Sequence, residues 1–342
     1  MPIYGAYYAG SRTVYVDRSD PIPPGPGEVR LQVAYCGVCG TDLHVYQGHM
    51  DRRIAAPQVI GHEMAGTVVE VGPDVSGWEP GDRVVVRPVD PCDNCPACRA
   101  GHRHLCHRLK VLGIDTPGAF QGSWTVPAHT LHRLPEGLSL EEAALVEPVA
   151  VACHDVRLAA VAPGETVVVI GGGPIGALNA LVARHVGGNV LVAEINPYRL
   201  RLLRSLGLEA VDPRQVDLTE LVQERTAGAG ADVVFEVSGS AAGARLMTEL
   251  PRVRGRMIVV AIFSEPPSVD LFRVFWRELQ LRGTRLYEPE DFEQAIQLLA
   301  ERALPVQELI TDRRPLSALP QVFEELTAGA DAMKVLIDVQ QV

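Results

Sequence analysis

Residues 166–183 read TVVVIGGGPIGALNALVA, a short β-branched run that turns through glycines into a helical pattern. Residues 167–170 have the length of a buried strand, and Gly171, Gly173 and Gly176 fit G-x-G-x-x-G where that strand should end. Each glycine has a separate task in such a turn. The first closes the bend, the second lets backbone approach a pyrophosphate, and the third lets helix and strand pack closely. A helix opening at Pro174 and Ile175 then aims free N–H groups and its positive dipole end at the phosphates. A glycine loop that serves only as a turn looks the same, so the flanking sequence has to decide. A second apolar strand, residues 189–193, ends at Glu194, where the fingerprint expects an acid for the ribose hydroxyls; the alternative for Glu194 is a solvated strand end. The stretch carries no charge across 18 residues, as a membrane span would, but its adjacent glycines, Pro174 and Asn179 oppose that reading.

Working outward, strands predicted at 166–170, 189–193, 208–211, 232–237, 256–261 and 279–286 alternate with helical segments, the signature of a parallel sheet with crossover helices. Six such strands make a complete doubly wound α/β dinucleotide fold, expected over residues 151–286. Residues 1–150 read instead as a β-rich, barrel-like domain, with strands at 29–35, 66–71 and 83–87 between glycine and proline turns and no dominant helix. The tail, 287–342, holds helical segments at 291–302 and 316–328 and a closing strand at 334–339, and is expected to return to the first domain.

A chain of 342 residues has room for two cores, and 47% apolar with 21% charged residues is a globular composition. The formal charge of -11 argues against nucleic acid or an anionic membrane as partner. No basic, apolar and cleavage-site series opens the chain, so the cytoplasm is expected. Only two lysines, Lys110 and Lys334, stand against 29 arginines, and no function is read from that ratio.

Cysteine is the most informative residue type. Cys92, Cys95, Cys98 and Cys106 crowd one loop, enough thiolates to close a tetrahedral zinc site of structural kind. Iron–sulfur runs place the fourth cysteine three residues on and follow it with proline, whereas here the gap is seven and His107 follows. The basic residues around this lobe read as a solvated surface rather than a nucleic-acid face. A second, dispersed set comprises Cys39, His62, Glu63 and Glu147. Thiolate, imidazole and carboxylate are the mixture of a catalytic zinc with an open position. Taken singly, Cys39 reads as a buried thiol, His62 as a core histidine and Glu147 as a helix-start carboxylate. Cys36 and Cys39 also form C-x-x-C, a redox motif without a thioredoxin-like unit around it.

In order, CGVCGTDLH at 36–44, GHE at 61–63, the four-cysteine loop, EPVAV at 147–151 and GGGPIG at 171–176 resemble the zinc-containing medium-chain dehydrogenases and reductases over essentially the whole chain. Glu63 and Glu147-Pro148 are similar to the polyol (sorbitol), butanediol and threonine dehydrogenase branch. The resemblance implies a GroES-like catalytic domain beside a Rossmann domain, with the active site in the cleft between them. It implies two zinc ions per chain, a catalytic one at Cys39, His62, Glu63 and Glu147 and a structural one at the four cysteines. Asp42 matches an acid that orients the histidine ligand. Thr41 matches the hydroxyl that takes the substrate proton, and His44 the histidine that passes it toward solvent; read without the motif, they are a local cap and a surface histidine.

The implied activity is reversible hydride transfer between NAD and a secondary alcohol of a polyol or vicinal diol, with a threonine or sugar dehydrogenase as the alternative. Glu194 favours NAD by repelling the extra phosphate of NADP, and Arg199 blurs that preference. Polyol enzymes tend to carry Arg-Tyr after the last sheet strand; here Tyr287 matches but Arg285 is displaced, which turns the reading toward butanediol. A homo-oligomer, tetramer or dimer, is implied by analogy. From another class, a non-catalytic NAD-binding sensor or structural protein is the competing reading.

Overall fold

The computed structural model describes residues 2–342, which form two compact units. The first unit runs up to Glu147 and includes Glu288–Arg302 and Val306–Val342; the second is Pro148–Tyr287 with Ala303–Pro305.

The first unit is built on strand β1 (Glu28–Gly37), in which Val29, Leu31 and Val33 are fully buried while Gln32 faces out, the period of two that a half-covered sheet imposes. Helix α1 (Gly40–Tyr46) follows β1 almost directly, and strand β2 (Glu63–Val71) pairs with it antiparallel, with Gly37 opposite Glu63. On its other side β1 pairs with the closing strand Lys334–Asp338, which sets Leu336 opposite Gly37. The closing strand thus lies in the sheet of the first unit, and β1, β2 and the closing strand come together at Gly37. Around this sheet Tyr8, Leu31, Met64, Phe120 and Phe323 form the core.

Three elements named here differ from the sequence expectation. Strand β2 begins at Glu63 rather than 66, and α1 has no counterpart in the expected elements. Its seven residues are too few to display a helical period, and its N-cap is a cysteine, outside the usual capping residue types. The segment expected as one helix at 316–328 is a 3₁₀ turn, Leu316–Ala318, followed by an α-helix, Leu319–Thr327.

The second unit is a six-stranded parallel sheet. Its strands are β3 (Thr166–Ile170), β4 (Asn189–Ala193), β5 (Glu209–Val211), β6 (Ala231–Glu236), β7 (Pro251–Val259) and β8 (Gln280–Gly283), in the spatial order β5-β4-β3-β6-β7-β8. That order is the doubly wound arrangement, and its reversal falls beside β3, where such folds bind ligands. Helix α2 (Pro174–His185) follows β3 through the glycines. Val168, Ile170, Leu191, Val234 and Met257 lie in the core beneath the crossovers.

Strand β7 starts earlier than expected because the register slips between Ala231 opposite Pro251 and Val233 opposite Arg256, which hides its first residues from a simple period. Strand β8 is shorter than expected: it is the sheet edge, all four residues are exposed, and no burial pattern marks where it stops. Among the described residues no helix is long and apolar enough to cross a membrane; the uncharged stretch around Gly171 divides into β3 and α2.

Candidate metal centre and dinucleotide pocket

Cys39 ends the turn after β1 and is the N-cap of α1. Its Sγ accepts from the Thr41 amide at 3.5 Å, while Asp42 Oδ2 accepts from the Cys39 amide at 2.9 Å, a reciprocal capping box. One short helix therefore fixes the thiol, the Thr41 hydroxyl and the Asp42 carboxylate together. His62 and Glu63 arrive at the start of β2. Gly61 before them has φ +96°, and a Cβ there would lie 2.6 Å from the Phe120 ring, so this position requires glycine.

Ligand atoms of Cys39, His62 and Glu63 all lie within 4.8 Å of one another. His62 Nδ1 faces Asp42 Oδ1 at 3.6 Å, and neither buried atom has a hydrogen-bond partner, which leaves the opposite ring nitrogen to the cluster. Burial by itself would lower the His62 pKa, yet the charges of Asp42 and Cys39 outweigh it and raise the value well above normal. Thiol, imidazole and carboxylate around one point, with an acid behind the imidazole, fit a zinc ion.

Glu63 is not free in this arrangement. Both its oxygens accept from the Lys334 ammonium, at 2.9 and 2.6 Å, with Lys334 3% and Glu63 1% exposed. Lys334 also donates to the Val38 carbonyl at 3.1 Å. Burial pushes the Lys334 pKa down, but Glu63, Cys39 and Glu147 together hold it above the ordinary value, so it stays an ammonium. Sequence reading passed over Lys334; its signal was being one of two lysines in an arginine-rich chain, at the head of a strand. Gly37 was passed over as well: a Cβ there would fall 2.3 Å from Glu63 Oε2, so a side chain at this position would push that carboxylate out of its place against Lys334.

Glu147 is buried at the start of the helix Val146–Ala159, close enough for its charge to act on Lys334, but it is not in the 4.8 Å set. Thr41 and His44 stand three apart on α1, on neighbouring positions of one face. His44 Nδ1 lies 3.2 Å from His49 Nδ1, and burial, then the His49 charge, lower the His44 pKa.

The four-cysteine lobe is a separate cluster. Sγ of Cys106 lies 3.4 Å from that of Cys92 and 3.9 Å from that of Cys95, and Cys95 lies 3.5 Å from Cys98. Amides of Cys92, His107 and Arg108 donate to these sulfurs. Backbone donors bring Cys92 down to about 6, whereas burial and its neighbours push Cys98 up to about 12. Four thiols this close cannot all ionise without a cation between them, and a zinc ion is what such a set fits.

In the second unit a cavity of about 790 Å³ opens beside the glycine turn, with Gly171, Gly173, Glu194, Arg199, Arg214 and Ser238 on its walls. That is cofactor size. Gly173 is the N-cap of α2 and supplies no side chain, so the helix N–H groups remain available to an anion. Gly171 has φ +100°, and a Cβ on Gly176 would meet the Gly171 carbonyl at 1.8 Å. Pro174, Ile175 and Gly176 form the first turn of α2 and are not among the residues that line the cavity. Glu194 is held in place by three amides: Gly172 to Oε2 at 2.8 Å, Ile195 and Asn196 to Oε1 at 2.6 and 2.7 Å. Arg199 lies 4.0 Å from it. Glu236, which the sequence reading did not single out, is fully buried at the end of β6 and accepts from the Ser238 and Gly239 amides at 3.1 and 3.2 Å, shaping the loop on the far wall.

Two family models match the chain: the alcohol dehydrogenase GroES-like domain over residues 25–136 and the zinc-binding dehydrogenase over residues 174–301. The chain is 47% identical to 2-dehydro-3-deoxy-L-galactonate 5-dehydrogenase of Pseudoalteromonas atlantica, covering 98% of both chains. It is 36% identical to sorbitol dehydrogenase of Halalkalibacterium halodurans, covering 92% of each. Among solved structures, 2R,3R-butanediol dehydrogenase from Bacillus subtilis superposes with a TM-score of 0.91 at 30% identity, covering 98% of this chain and 99% of the other. The protein is thus a dehydrogenase that uses zinc and a nicotinamide cofactor on a small-molecule alcohol. The chain belongs to the zinc-containing medium-chain dehydrogenases and reductases, in their polyol and threonine dehydrogenase branch.

Proposed function

We propose that this enzyme transfers hydride between NAD and a secondary hydroxyl flanked by another oxygen, in a polyol, vicinal diol or sugar acid. The observation that carries this reading is the buried set of Cys39, His62 and Glu63 on the strand ends around Gly37. Cys39 and His62 hold a catalytic zinc, with Glu63 or Glu147 as carboxylate ligand, and Asp42 keeps the His62 ring oriented. A second zinc sits among Cys92, Cys95, Cys98 and Cys106, and the cytoplasm keeps those thiols reduced. The chemistry supplied by the catalytic ion is Lewis-acid stabilisation of negative charge on the substrate oxygen. Thr41 takes the hydroxyl proton and His44 passes it on; the lowered His44 pKa keeps that imidazole neutral and able to accept.

Gly171, Gly173 and the open turn of α2, with Pro174, Ile175 and Gly176 behind it, receive the pyrophosphate; Arg199 lines the pocket, and Glu194 receives the ribose and disfavours the phosphate of NADP. The sugar-acid relative at 47% identity supports the substrate class, and threonine is the second reading because the branch includes such enzymes. The decisive experiment follows NADH absorbance with zinc-loaded protein across polyols, vicinal diols, sugar acids and threonine, with NAD and with NADP. Turnover is expected on an oxygen-flanked secondary alcohol with NAD preferred; no turnover on any of them, or equal efficiency with NADP, opposes the reading.

The enzyme is also proposed to be a homo-oligomer. Phe272, Phe275 and Trp276 are each at least 70% exposed on the helix Leu271–Trp276, a clustering that a monomer surface rarely shows. A light-scattering mass of one chain would argue against it.

A further inference from the structure

His49 lies outside every motif that the sequence singles out. It stands five residues beyond His44, in the turn that ends α1, where its amide donates to the His44 carbonyl at 3.0 Å. That turn folds the two imidazoles together: the Nδ1 atoms are 3.2 Å apart and the ring centroids 5.5 Å. Such a contact is a hydrogen bond when one Nδ1 carries a proton and the other offers its lone pair. Both Nε2 atoms are then left for other partners, one at each end of the pair. His44 is half-buried and His49 exposed, so the pair leads from a covered position to solvent.

We propose that His49 is the second base of the proton exit, a role that rests on the reading of Thr41 and His44 given above. During alcohol oxidation the substrate proton arrives at His44 Nε2. The N–H bond at His44 Nδ1 breaks as one forms at His49 Nδ1, and His49 loses its Nε2 proton to water. One proton enters, one leaves, and no electrons move in this relay. Both rings finish as the opposite tautomers and reset by exchange with solvent. The surroundings favour transit over storage. Burial and then the charge of His49 hold His44 below its ordinary pKa, so a proton placed there moves on. Of the charged groups on elements around α1, Arg12 and Glu324 act on Tyr46, and Asp51 bonds Tyr8.

The test is stopped-flow kinetics of zinc-loaded enzyme with NAD in weak buffer, using 2,3-butanediol and sorbitol as probes, with an indicator dye for protons and absorbance for NADH. Wild type should release its proton together with NADH formation. In His49→Gln, proton release should lag about ten-fold, less than the 10²–10⁴ typical of a primary acid–base group. Added imidazole should restore it, while thermal stability and NADH affinity stay at wild-type values. If His44→Gln slows release and His49→Gln does not, or if imidazole fails to restore His49→Gln, His49 is no relay. If His44→Gln leaves release unchanged, the reading of Thr41 and His44 itself fails. A second measurement is independent of turnover: ¹⁵N spectra of histidine-labelled holoenzyme should show one of the two rings protonated at Nδ1. Two rings protonated only at Nε2 would overturn the relay, because no proton would then lie between them.

Discussion

Lys334 holds a charge where burial opposes it, and it does so against Glu63, a member of the buried Cys39, His62 and Glu63 set. Two ions removed from water are unfavourable unless they satisfy each other, and Glu63 and Lys334 do so through two contacts of 2.9 and 2.6 Å. Removing one partner leaves the other charge stranded, at a cost of roughly 3–5 kcal/mol. Lys334→Met should lose about that much in denaturant unfolding of the metal-free protein, and Glu63→Gln combined with it should recover most of the loss. A single variant as stable as wild type would mean that the pair is not formed. The sign of the pH dependence follows from the raised lysine. Around neutral pH its contribution is full, and on the alkaline side it is lost as pH rises from the ordinary 10.5 through the still higher folded value.

The glycine turn is the element in which sequence and packing agree most closely, yet its glycines serve different ends. A Cβ on Gly176 would collide with the Gly171 carbonyl at 1.8 Å, whereas one on Gly173 would find its nearest neighbour, the Arg199 guanidinium, 3.5 Å away. Gly176→Ala should therefore destabilise the fold by about 1–3 kcal/mol, as overpacking does. Gly173→Ala should leave the melting temperature almost unchanged and weaken NADH binding, since the added methyl occupies the space a pyrophosphate needs. Calorimetry and fluorescence titration of both variants check this; equal loss of stability in the two would show that the turn is only structural. This element was legible because strand, glycines, helix and acid fall within 29 consecutive residues, 166–194, and each follows from a local rule. Helix α1 was not, because seven residues carry no period and its cap is a cysteine, a residue type that seldom signals one.

At the scale of the molecule, what the sequence reveals depends on how far apart the partners lie in the chain. The parallel sheet and the four-cysteine lobe are assembled from nearby residues, and their patterns are visible without a fold. The cluster around Gly37 is assembled by topology. Cys39 follows β1, His62 and Glu63 open β2, and Lys334, 271 residues from Glu63, opens the strand on the other side. No spacing rule joins these positions; antiparallel pairing on both sides of β1 does. That is why the sequence offers Cys39, His62, Glu63 and Glu147 only as a dispersed set, and why Lys334 stayed hidden. In the proposed reaction the first unit activates the alcohol and the second holds the hydride carrier. The measurement that tests this division most directly compares wild type with Cys39→Ala and His62→Ala, each zinc-loaded, for alcohol-dependent NADH formation and for NADH binding. Turnover should fall to background in both variants while NADH binding stays near wild type; a variant that keeps wild-type turnover, or one that loses cofactor binding together with it, would contradict the account.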